Sequence, residues 1–276
     1  MKSCIYTLII LFSLQLKAFP QVVGEMEADE DKFLARTKQV NQFFRRFNGE
    51  EDIQGNRLYD GDKDYRSIKL RREYLKILFD EQSKSISPDK LKDFINYVTD
   101  KKNPCFLDFH ASNWSAQVNV EFRYNGKMQD GILFMELEQS GLGYKWVINN
   151  VYFHPFEEYF IGDTTYKKKF LHPMSHEIEF MNLKKIFEDK DSLQQYFIKG
   201  YKPDQMSLFL YEAGRGFLKF VNVKEVKFHF FQVPHWYFEL SFVNRGGYNS
   251  GWMITNLVNY KPEEEAMLRS YIYYER

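Results

Sequence analysis

Cysteine is nearly absent: Cys4 and Cys105 are the only two in 276 residues. Cys4 precedes an apolar run from Ile5 through Leu16, whereas a lipid-bearing cysteine would follow one, so no lipid anchor is expected. Lys2 ahead of that run gives the pattern of a secretory signal, and the run is shorter than the ~20 residues a spanning helix needs. The expectation is a signal peptide over residues 1–20, cut after Ala18 or just before Gln21, and an exported protein, periplasmic or extracellular. Only Cys105 then remains, so an intrachain disulfide is excluded and the core alone must hold the fold. No later stretch is long and apolar enough to span a membrane. Excess charge is also missing. Lys plus Arg and Asp plus Glu each number 38, which removes the basic footprint of a nucleic-acid binder. No P-loop, serine-hydrolase elbow or zinc-protease motif occurs, and no cofactor is expected.

Aromatic residues are abundant. The 27 Phe, 19 Tyr and 4 Trp suit strands and the walls of apolar pockets. They also recur in order. Leu75 through Ser83 is echoed by Leu183 through Ser192, and Ser87-Pro88-Asp89 by Lys202-Pro203-Asp204, where Pro and Asp mark helix starts. Phe106-Leu107-Asp108-Phe109 parallels Phe217-Leu218-Lys219-Phe220, and the alternating runs Val118–Phe122 and Val226–Phe230 follow, as period two requires of strands. Each half closes on a glycine-rich turn and a Trp-led strand, Trp146-Val147-Ile148 and Trp252-Met253-Ile254.

The pattern predicts an α+β protein of two tandem units, each with N-terminal helices packed on a curved antiparallel four-stranded meander. The first unit is expected over 27–158, a linker over 159–176 and the second unit over 177–276. The front helix of the first carries Phe33, Val40, Phe44 and Phe47 at helical spacing and ends at Asn48-Gly49, and residues 50–64 read as an exposed loop.

A long first helix, shorter helices and a bent meander closing with Trp146-x-Ile148 or Trp252-x-Ile254 resemble the nuclear-transport-factor-2-like group of the cystatin-like folds. The resemblance implies, for each unit, a helix and bent sheet enclosing a conical pocket, used within that group for catalysis, ligand binding or dimerisation. Its enzymes use an Asp base and a Tyr or acid donor inside the cone, and no positions of this sequence match them.

Asp108 and His110 alternate along an expected strand, so one face would carry a carboxylate able to orient an imidazole, with Cys105 facing away from Asp108. Tyr144, Trp146, Tyr248 and Trp252 recur in both halves and are read either as core or as a stacking platform. These six residues are the ligand-binding candidates. His172 and His176 are read as linker, Glu136 and Glu138 as a solvated strand face, and Gly141-x-Gly143 and Gly246-Gly247 as hairpin turns. No metal site and no catalytic residue is assigned. The expected function is non-catalytic binding of a small ligand or a protein partner; the alternatives are an enzyme using the first unit only, through Asp108 and His110, and a structural role in which sheet faces pair.

Overall fold

The computed structural model describes residues 37–158, 187–188, 198, 204–246 and 249–274. The expected signal peptide, residues 27–36 of the first unit, the linker 159–176 with His172 and His176, and Tyr248 lie outside the described residues.

Local rules place the helices. Helix α1, Val40–Asn48, ends where Gly49 takes the left-handed φ of 71° and its N–H returns to the last turn, a conformation glycine adopts without a Cβ penalty. Helix α2, Ile68–Ile77, starts on Ser67, whose hydroxyl accepts the Leu70 N–H. Helix α3, Pro88–Val98, starts on Ser87, which accepts the Lys90 N–H, with Pro88 in the first turn. The start at Ser87-Pro88 is the one the sequence predicts.

Three strands follow: β1 Trp114–Tyr124, β2 Lys127–Ser140 and β3 Gly143–Tyr152. After α4, His154–Glu158, and α5, Gln205–Gly214, come β4 Leu218–Val233, β5 Trp236–Val243 and β6 Gly251–Asn259. A short 3-10 turn at Pro262–Glu264 leads into α6, Glu265–Ile272.

The α+β class is as expected, but the expected pair of four-stranded meanders is not what the described residues show. Each half contributes three strands, and all six join in one antiparallel sheet ordered β3-β2-β1-β4-β5-β6. The join is the β1–β4 ladder, which runs from Trp114 opposite Phe230 to Tyr124 opposite Leu218. Both strands are long, so pairing them satisfies two rows of backbone N–H and C=O groups that separate units would leave at open edges.

The core crosses the join as well. Helices α1 to α3 put Phe43, Phe47, Phe94 and Val98 against Trp114 of β1, Phe230 of β4, Phe238 and Leu240 of β5 and Ile254 of β6. Phe230 and Phe238 lie parallel with centroids 4.7 Å apart. Burying each such ring contributes roughly 1.5–3 kcal/mol. At the other end of the same face, α4 and α5 cover Phe122, Tyr124 and Leu218 with Phe156 and Phe209. The opposite face carries α6, which meets Phe231 and Tyr237 through Leu268 and Ile272.

A second departure concerns residues 106–109, which are irregular, whereas Phe217–Phe220 runs into β4. Two side-chain amides replace the strand partner. Asn48 donates to the Leu107 carbonyl and accepts its N–H, both at 2.8 Å, and Gln232 does the same for Asp108 at 2.8 and 2.9 Å. With backbone donors and acceptors satisfied this way, no ladder is required.

Candidate functional site

The interior between helices and sheet is packed shut: Phe43, Phe47, Phe94, Phe230 and Phe238 expose no surface. The candidate residues lie at the rim of this face.

The sheet curls around that rim. Trp146 on β3 and Trp252 on β6 both reach the Phe228 ring of β4, with centroids 6.3 and 5.0 Å away. In a flat sheet β3 stands three strand spacings from β4, about 14 Å, so the inner face must be concave. Phe228 is the hub of a continuous row of rings. One end runs from Tyr144 to His110 (4.5 Å), Phe109 (5.4 Å), Trp114 (5.0 Å) and Trp146 (5.3 Å). The other end passes from Trp252 to Phe242 at 5.4 Å. Trp114 and Phe228 are buried, but Tyr144, Trp146 and Phe242 are 46%, 40% and 50% exposed. An aromatic row half open to water offers apolar faces to a ligand.

Beside the row, a cleft of about 700 Å³ is lined by Phe44, Arg45, Arg57, Arg66, Phe106 and His110, among others. Glu50 is held by Arg66 at 2.6 Å, and Arg45 turns to the buried Glu51 at 3.3 Å. Phe106 packs under two guanidiniums, those of Arg66 and Arg71, 4.6 and 4.4 Å from its centroid. Arg71 is fully buried and donates to the carbonyls of Phe47 and Cys105.

Asp108 and His110 are not strand neighbours sharing a face. They sit in an Asx-type turn in which the Asp108 carboxylate accepts the His110 backbone N–H at 2.8 Å. Among the described residues the His110 ring nitrogens make no hydrogen bond, and its ring lies on Tyr144. The carboxylate therefore does not orient the imidazole, as base work from this pair would require. Five of the six candidates, Asp108, His110, Tyr144, Trp146 and Trp252, lie on the row or the adjoining cleft. Trp114 and Phe228, which connect them, and Phe242, which extends the row beyond Trp252, each stand at an alternating position of a strand.

A second cavity, about 780 Å³, lies on the opposite face between the sheet and α6, lined by Gln117, Lys227, His229, Tyr237 and Glu239, among others. His229 is buried there. Its Nε2 donates to the Gln117 side-chain oxygen at 2.9 Å and its Nδ1 accepts the Tyr237 hydroxyl at 2.8 Å. That tautomer follows because the Gln117 amide nitrogen is directed to Asn119. Burial lowers the imidazole pKa to about 4, with Glu239 raising it and Lys227 lowering it. Burial likewise pushes the Tyr237 phenol upward. Both groups stay neutral at neutral pH and each uses its hydrogen-bonding capacity within the protein. The alternation of Lys227 and His229 facing Tyr237 and Glu239 in one hairpin was the available sign of this polar face.

Among the described residues, no group of three or more His, Cys, Asp or Glu is placed to hold a metal ion, and no helix is long and apolar enough to cross a membrane. Compared with protein-family models, curated proteins and solved structures, the chain matches none.

Proposed function

We propose that the protein is an exported, non-catalytic binding protein that takes a small ligand or a protein segment on the ring row at the rim of its concave sheet face. The observation that carries this is the row itself, open at Tyr144, Trp146 and Phe242 while its middle is buried. Solvating such rings gains nothing for folding, and their shared concave setting suits one bound body. Export rests on Lys2 and the apolar run that follows it.

We read β1-β2-β3 and β4-β5-β6 as the two diverged copies, joined edge to edge, with Trp146 and Trp252 in matching outer strands. The helix-filled, concave inner face supports a cone-like wall of the nuclear-transport-factor-2-like kind, built once from both halves.

The test is native mass spectrometry and tryptophan emission of the mature chain purified from its own compartment, beside Tyr144→Ala and Trp146→Ala. Both rings are about half exposed, so each variant should lose only about 1–3 kcal/mol of stability and stay folded, while ligand mass and the emission shift disappear. Retention of the same ligand by both variants would sink the proposal.

A further inference from the structure

The cleft beside the ring row has an unbalanced charge pattern. Arg45, Arg57 and Arg66 line it. Arg46 lies behind Arg45 through their shared partner Glu51, and Arg71 lies behind Phe106. The nearby carboxylates are already engaged. Glu51 serves Arg45 and Arg46, and Glu50 takes both Nε and Nη2 of Arg66 on one oxygen, at 2.8 and 2.6 Å. Asp52 caps the backbone N–H groups of Gln54 and Asn56, and Asp108 accepts the N–H of His110.

Two guanidiniums are left without a carboxylate among the described residues. Arg57, at the exposed edge, has only the Tyr59 ring beneath it, 5.1 Å away. Arg71 has two backbone carbonyls and the Phe106 ring, and its buried Nη1 has no hydrogen-bond partner. A buried charge without a counterion is costly. Burial brings the Arg71 pKa down to about 10, with Cys105 raising it and Arg66 lowering it, so the cation persists at neutral pH. Its field is weakly screened because the side chain is fully buried.

We infer that the cleft receives the anionic end of an amphipathic ligand, a carboxylate or phosphate seated against Arg57 and Arg66 with the Arg71 charge behind Phe106, while the apolar body lies along Tyr144 and Trp146. The inference rests on the ring row being the binding surface. The Arg57 guanidinium fork matches either oxyanion in two parallel hydrogen bonds, Arg66, whose own fork is held by Glu50, adds its charge alongside, and the rings accept a body of any apolar shape.

The experiment titrates the mature chain with phenylbutyrate, phenyl phosphate and the neutral phenylbutyramide, read by calorimetry and tryptophan emission. At least one anion should bind about tenfold or more tighter than the amide, one charge-assisted hydrogen bond's worth. Arg57→Gln, an exposed change that leaves folding intact, should reduce that anion to the level of the amide. Which anion gains more separates a carboxylate from a phosphate ligand. Equal binding of all three, an anion advantage that survives both Arg57→Gln and Arg66→Gln, or no anion binding up to roughly 10 mM would overturn the inference. Equal binding that is lost in Trp146→Ala would overturn it while leaving the ring row standing. An anion advantage that needs Arg57 but ignores Trp146→Ala would keep the anion site and remove the ring row.

Discussion

Asn48 closes the last turn of α1 with a buried amide, both ends of which face Leu107. Asn48→Ala would leave a buried N–H and a buried carbonyl without partners, at ~1–3 kcal/mol each. Stability should fall by about 2–6 kcal/mol, and the turn carrying Asp108 and His110 should lose protection from amide exchange. Asn48→Asp should fare no better, because a carboxylate accepts the Leu107 N–H but faces the Leu107 carbonyl with a second acceptor. An unchanged denaturation midpoint would show that the amide clamp does not hold this segment. His229 governs a different property. Its imidazole titrates near 6.5 when unfolded and near 4 when folded, so between those values the unfolded chain binds the extra proton. Stability is therefore full above that window and falls on acidification through it, by ~3 kcal/mol over the whole range. Urea midpoints of wild type and His229→Gln, compared at pH values either side of the window, isolate this part: the wild type should lose more on acidification, and equal losses would remove His229 as the cause.

At the scale of elements, the outer strand β6 does not present an open edge. The free side of β6 is occupied: the Trp252 N–H reaches the Thr37 carbonyl, and Ile254 exchanges hydrogen bonds with Leu78 and Asp80. The approach at Thr37 depends on Gly251, whose φ is 97° and whose Cβ, if present, would stand 2.3 Å from the Thr37 oxygen. Gly251→Ala must therefore move the Thr37 segment away and strain the backbone, and a loss of about 2 kcal/mol or more is expected. The check is amide exchange at Trp252 and Ile254: Trp252 should lose protection selectively, and unchanged protection would mean the segment shifts without releasing the strand. These elements were only partly legible in the sequence. Ser87 and Gly49 announce helix boundaries because capping is a local event, and alternation announces β1 and β4 because side-chain period is local too. The bridges from Thr37 and Leu78 to β6 are not, since nothing near residue 37 or 78 encodes a partner more than 150 residues away. The segment 106–109 misled for the same reason: its alternation fits a strand, but Asn48 and Gln232, distant in sequence, take the hydrogen bonds a strand would use.

At the scale of the whole molecule, the repeated order of signals was readable, and its consequence was not. Two helix-plus-meander segments can close separately or share an edge, and the choice depends on whether each half can bury its own apolar face. Here neither can. The first half supplies α1 to α3, yet Phe43, Phe47 and Phe94 rest on Phe230, Trp236 and Phe238 from the second. Conversely, β5 and β6 have no other cover for that face among the described residues. The site inherits this dependence, since Trp146 comes from the first half, Trp252 from the second, and Phe228 joins them. The chain should accordingly unfold in one transition, with near-ultraviolet and far-ultraviolet dichroism coincident. A chain ending at residue 158 should lack a cooperative transition, because removing Phe230 and Phe238 alone strips α1 of its main contacts, a loss of roughly 3–5 kcal/mol per ring. Co-expression of that fragment with residues 177–276 should restore the transition, since the β1–β4 ladder needs no covalent link. Either fragment folding cooperatively by itself, with fixed tertiary dichroism, would mean that each half closes a core of its own and that the shared sheet is not what stabilises the molecule.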